Sequence, residues 1–253
     1  MQVQTIEKKD FLKRVKPYDC FFTHGDLAFN RMTDFLQQNI TCNMPQSVKV
    51  NHTGIILDGS VIEPDVSKNI ISKKSKYSID RSNVPFALHM SIQTKSLVWN
   101  AIRTIIPFYS PSKQESDSLA VDSIESILRS IKGTNVAFYW VPLKNNPLDD
   151  QKSKNKLNQF LRDHPHIPYE QNIADALYVL TNAFGFLKRW FGNKNNMMCS
   201  ELVVRIYQSI GIIPEDIDAN TVYPSELLYK NYSDNEKMKK MPDIFGKIIY
   251  KVV

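Results

Sequence analysis

A histidine, an acid and, last in the chain, a cysteine at a helix start are the residues whose types and order could do chemistry here. The cysteine is Cys199, in the run Met197-Met198-Cys199-Ser200-Glu201-Leu202-Val203. Leu202, Val203, Ile206 and Ile210 recur at helical spacing, and Gly211 with Pro214 ends the pattern, so a helix is predicted to begin at the cysteine. The first N–H groups of a helix lack partners within it and carry the positive end of its dipole. A thiolate there is stabilised, and the expectation is a pKa below the ordinary ~8.5. The competing expectation is a buried thiol that packs as a small hydrophobe.

The histidine is His52, at the front of the β-branched run His52-Thr-Gly-Ile-Ile-Leu. Asp58-Gly59 is a two-residue hairpin signal, and residues 60–63 read as the returning strand. That turn would pair Leu57 with Ser60 and leave Glu63 diagonal to His52 on one face. Their side-chain origins would be about 5–8 Å apart, close enough for a carboxylate to orient an imidazole. Thiol hydrolysis needs a thiolate, an imidazole to move its proton, a group to orient the imidazole and N–H donors for the oxyanion. Cys199, His52, Glu63 and the N–H of Cys199 have the right types for these roles.

Histidine and acid on strands before a cysteine on a helix is the reverse of the ordinary papain-like order. In this the chain resembles the circularly permuted NlpC-type papain-like proteins, in particular the YiiX-like group, which has poxviral members and is related to lecithin retinol acyltransferase. The resemblance rests on Gly25-Asp26-Leu27, His52-Thr-Gly-Ile with Val61-Ile-Glu63, Pro168-Tyr169-Glu170, Cys199-Ser-Glu-Leu-Val203 and Tyr223-Pro-Ser-Glu-Leu227. It implies an α+β class, with an antiparallel sheet and the nucleophile helix packed on one face. It also implies one permuted papain-like domain over 1–253, its motifs spanning 25–228 and residues 64–165 forming a family-variable elaboration. Cys199 is then the nucleophile, His52 the base and Glu63 the third polar residue, with the Tyr169 hydroxyl reaching nucleophile or oxyanion. The implied activity is that of a hydrolase or acyltransferase working through a Cys199 thioester, with no cofactor. Met197-Met198 stands where the family has an aromatic pair, which would soften an acyl pocket.

Other elements must position these groups. Residues 8–15 read as a short helix, and residues 27–29, 86–92, 97–106 and 136–141 as strands. Leu119, Val121, Ile124, Ile127, Leu128 and Ile131 suggest a helix over 116–131, and residues 152–162 a polar helix with Leu157, Phe160 and Leu161 inward. Residues 173–191 are apolar nearly all round: a buried helix, a lid or a peripheral membrane contact would each fit. Such a segment just before the nucleophile would suit an acyl chain, which favours lipid or lipidated substrates slightly over peptides.

Of 253 residues, 42% are hydrophobic and 23% charged, which excludes a disordered chain. The net charge of +6 suits a lysine-rich solvated surface, and no nucleic-acid motif accompanies it. Three cysteines form no disulfide framework, and the charged first residues lack a signal-peptide core, so a reducing compartment such as the cytoplasm is expected. Cys20, His24, Cys42 and His52 have metal-ligand atoms at a spacing that matches no usual zinc site. A non-catalytic membrane- or partner-binding module that retains the fold is the alternative function.

Overall fold

Both long edges of the His52 strand are occupied, and this decides much of the architecture around it. A computed structural model describes residues 1–24, 50, 52–66, 84–90, 119–164, 199–233 and 236–253. The strands are β1 (Gln2–Ile6), β2 (Cys20–His24), β3 (His52–Leu57), β4 (Phe86–Met90), β5 (Leu119–Ser123), β6 (Ala137–Val141) and β7 (Ile248–Val252). They lie in the order β1-β7-β6-β2-β3-β4-β5. Every pairing is antiparallel except β1 with β7, which is parallel. The sheet is therefore mixed where an antiparallel one was expected, because β1 and β7, neither singled out in the sequence, add a parallel pair at one end. The α+β class holds.

The central strands β2, β3, β4 and β6 are covered on both faces, so their side chains sort by alternation into two cores. Cys20, Phe22, Ile55, Leu57, Phe86 and Leu88 join one core. The helices α3 (Gln151–Asp163) and α4 (Cys199–Ser209) add Leu157, Leu161, Leu202, Val203 and Ile206 to it. Phe21, Ile56, Ala87, Phe138 and Trp140 form the other, with Phe11 of α1 (Lys8–Arg14) and Ile124 of α2 (Ile124–Ile131). Phe11 is fully buried at the edge of the Phe138 ring; sinking such a ring contributes about 2–3 kcal/mol.

Two predicted elements take a different form. Residues 60–63 are not a returning strand. Asp58 turns the chain by accepting from the Ser60 N–H at 2.8 Å, and β2 and β4 already flank β3. The backbone groups a hairpin would have paired go instead to Asn158 of α3, whose Oδ1 accepts from the Glu63 N–H and whose Nδ2 donates to the Val61 carbonyl, each at 2.8 Å. The helix predicted over 116–131 is split: 119–123 is strand, and the helix starts only after Ser123, whose hydroxyl caps the Ser126 N–H at 3.0 Å. The predicted strands at 27–29 and 97–106 and the apolar segment 173–191 lie outside the described residues.

The C-terminal end of α4 is held twice. Gly211, at φ 84°, closes α4, with the Ile212 N–H returning to the Tyr207 carbonyl at 2.8 Å. The Tyr207 hydroxyl donates to the Tyr18 carbonyl at 2.7 Å and ties α4 to the start of β2. Beside it the buried Asp19 carboxylate accepts from Trp140 Nε1 and the Leu143 N–H, each at 2.9 Å, fastening β2 to β6. Among the described residues no helix is long and apolar enough to cross a membrane.

Candidate active site

Cys199 is the first described residue of α4 and is 4% exposed. Its thiol is pushed up to about 11, the opposite of the helix-start expectation. Burial is the larger effect, and the backbone N–H groups of Thr53, Ser200 and Cys199 itself only partly offset it. Those N–H groups act on the sulfur from close by, and one belongs to the residue immediately after His52. α4 thus brings the cysteine to the His52 end of β3.

Beneath it, on the same face, Cys20 is also buried. Its sulfur is 3.2 Å from the Thr53 hydroxyl, and its S–H donates to the Gly54 carbonyl at 3.2 Å. Burial raises this thiol to about 12, so Cys20 is a packed, inert group.

The His52 ring lies on the other face. Alternation along β3 puts Thr53 and Ile55 with α4, and His52 and Gly54 with Ile56 on the α1 and α2 side. There the His52 ring meets the Phe21 ring edge-on, centroids 6.2 Å apart. Its Nε2 is 3.1 Å from His89 Nδ1. His89 Nε2 is in turn 3.1 Å from Asp122 Oδ2 on β5. Burial, with the His89 ring adding to it, depresses His52 to about 3, so the imidazole is neutral. The hydrogen bond from His89 holds Asp122 below the usual carboxylate range. An ionised Asp122 only accepts. His89 Nε2–H therefore donates to Asp122, and the His89 ring stands between that carboxylate and the His52 imidazole. No hydrogen bond joins His52 to Cys199.

Glu63 does not orient His52. Its carboxylate accepts from Arg162 of α3, which also binds Asp65 at 3.1 Å; Glu63 is half-buried and Asp65 exposed. The expected hairpin would have carried Glu63 back beside His52; the turn at Asp58 and the pull of Asn158 carry it to α3 instead. Tyr169 lies outside the described residues.

His89 and Asp122 were not singled out in the sequence. His89 sits inside an apolar strand, and Asp122 in a stretch whose spacing suggests a helix. The one signal pointing to them is Gly54: a Cβ built there would lie 2.5 Å from the Phe21 ring, 2.7 Å from His89 Cβ and 2.7 Å from the Leu88 carbonyl. Glycine at the third position of His52-Thr-Gly is what lets β4 place His89 beside His52.

Of Cys20, His24, Cys42 and His52, whose spacing matched no usual zinc site, Cys42 lies outside the described residues. Among the described residues no three His, Cys, Asp or Glu side chains are grouped to hold a metal ion. The chain matches no protein-family model and no curated protein.

Proposed function

We propose that this chain is a cysteine-dependent hydrolase or acyltransferase of the permuted papain-like kind, acting on an amide or ester acyl bond of a lipid, lipidated or peptide substrate. The observation that carries the reading is the place of Cys199: the first described residue of α4, a helix packed on β3, with the backbone of Thr53, the residue that follows His52, among the groups that act on its thiol. In the reaction the His52 imidazole, brought from its place beside His89 to the sulfur, takes the thiol proton as the sulfur attacks the carbonyl carbon. The Cys199 N–H faces the oxyanion, and the imidazolium returns its proton to the leaving amine or alcohol. Water or a second acceptor then cleaves the thioester. With the thiol near 11 and the imidazole near 3, the resting pair is neutral, so the base acts during attack rather than through a preformed ion pair.

The test is a mass-spectrometric search for an acyl adduct with phospholipids, lipidated peptides and cell-wall peptides. Wild type should carry an adduct on Cys199, and Cys199→Ala none. No adduct or turnover with any class overturns the proposal. Iodoacetamide labelling of Cys199 should be slow near pH 7 and climb toward pH 11. Rapid labelling near pH 6 would contradict a thiol raised by burial.

A second reading has its own support: the His52 ring faces away from Cys199, and the thiol is buried. A non-catalytic module that keeps the fold and binds a membrane or partner would look like this. Vesicle binding unchanged by Cys199→Ala, together with no adduct, selects it.

A further inference from the structure

β1, at the end of the sheet, buries almost nothing of its own. It pairs parallel with β7 along its whole length, yet only Ile6 is buried, and Gln2, Val3, Gln4 and Thr5 are all exposed. Parallel strands are ordinarily covered on both faces, so this one is out of place without a neighbour. Edge strands are usually guarded by charged side chains or proline, and Gln2–Ile6 has neither. Met1, Val3 and Val253, three of the four exposed large hydrophobic side chains among the described residues, lie along this end of the sheet.

The hydrogen bonds to β7 show which backbone groups point the other way. The Gln2 N–H donates to the Lys247 carbonyl at 2.8 Å, and the Ile6 carbonyl accepts from the Val253 N–H at 3.0 Å. Alternation therefore turns the backbone groups of Gln2, Gln4 and Ile6 toward β7, and the N–H and C=O of Val3 and Thr5 toward the outer edge. Two such edges fit each other about a two-fold axis when Gln4 faces Gln4 of a second copy. Val3 then stands opposite Thr5 of that copy and Thr5 opposite its Val3, and each pair exchanges two hydrogen bonds. The outward N–H and C=O groups of Val3 and Thr5 are all used in both copies. β-Branched side chains meet across the pairs, and residues 2–6 place no charge opposite a like charge.

We propose that the outer edge of β1 is a self-association site, where two copies of this chain pair antiparallel through residues 2–6 and join their sheets. One short strand per copy makes a small interface, so the dimer dissociates on dilution. Neither Cys199 nor β3 takes part, so the association and the thiol chemistry stand or fall separately.

Sedimentation velocity of the full chain over a concentration series measures the monomer–dimer equilibrium. Wild type should pass from monomer to dimer as concentration rises. Gln4→Lys and Gln4→Glu alter an exposed side chain, and each should weaken the dimer about tenfold or more, because the new charge faces its own copy across the axis. An equimolar mixture of the two variants should recover the dimer, since opposite charges then face each other. Val3→Pro removes an outward N–H, leaves the bonds to β7 in place and should also weaken the dimer. If it lowers the urea midpoint as well, the charge variants decide. Wild type that stays monomeric at every concentration overturns the proposal and leaves the edge to a strand of another protein. A dimer that neither charge variant weakens overturns it too, because such a dimer forms through a different surface. So does weakening by both with no recovery in the mixture, since the two Gln4 side chains would then not face each other.

Discussion

His52 Nε2 lies 3.1 Å from His89 Nδ1, although His89 is paired opposite Gly54 and not opposite His52. The diagonal is short because residue 54 has no side chain, so that β4 and the Phe21 ring close over it. The partner of the candidate base is thereby drawn from a strand that the motif itself does not contain.

Gly54→Ala should consequently be costly. Its new methyl group would meet a ring, a side-chain Cβ and a backbone carbonyl, all under 3.0 Å, and the carbonyl cannot swing aside as a flexible side chain would. Overpacking of this kind costs about 1–3 kcal/mol, read as a lower urea midpoint at constant slope. An unchanged midpoint would show that β3 and β4 are not so closely joined at this position.

Glu63→Gln should do little. Glu63 and Arg162 form a surface ion pair with side chains 43% and 35% exposed, and such pairs contribute at most ~1 kcal/mol. Stability should stay within that range, and the labelling rate of Cys199 should match wild type. A fall in labelling comparable to that of an altered His52 would restore Glu63 to the site.

Acid should destabilise the fold through His52. Its folded pKa is about 3, against an ordinary value of ~6.5, so between these two the unfolded chain binds a proton that the folded chain does not. The neutral ring's contribution is fully present above ~6.5 and is lost as pH falls toward 3, at a slope on the order of 1 kcal/mol per pH unit. Denaturant titrations from pH 7 to pH 4 should show this slope in wild type and a shallower one in His52→Gln. Parallel slopes would mean that the imidazole is not desolvated in the folded chain.

Much of the local structure could be read from residues alone. The helix at Cys199 is written in the spacing of Leu202, Val203 and Ile206 and in the glycine that ends it at φ 84°. The strand at His52 and the polar helix carrying Leu157 and Leu161 are likewise written in periodicity. The readings that failed depended on neighbours. Asp58-Gly59 is a sound hairpin signal, but a hairpin needs a free edge, and β2 and β4 leave β3 none. The apolar spacing over 116–131 suits a helix on paper, but 119–121 sit as strand beside β4, and the Ser123 cap starts the helix later.

For the site, the sequence by itself determined the candidate nucleophile, its helix start and the histidine on the neighbouring strand, because residue type and period are local properties. Only the tertiary structure decided which face the His52 ring takes, that Glu63 goes to Arg162, and that His89 and Asp122 stand behind the imidazole. It also decided that the thiol is raised rather than lowered, since a helix start favours a thiolate only until burial removes the water that would solvate it. Strand register and desolvation are set by chain segments far apart in sequence, and no spacing within one motif encodes them.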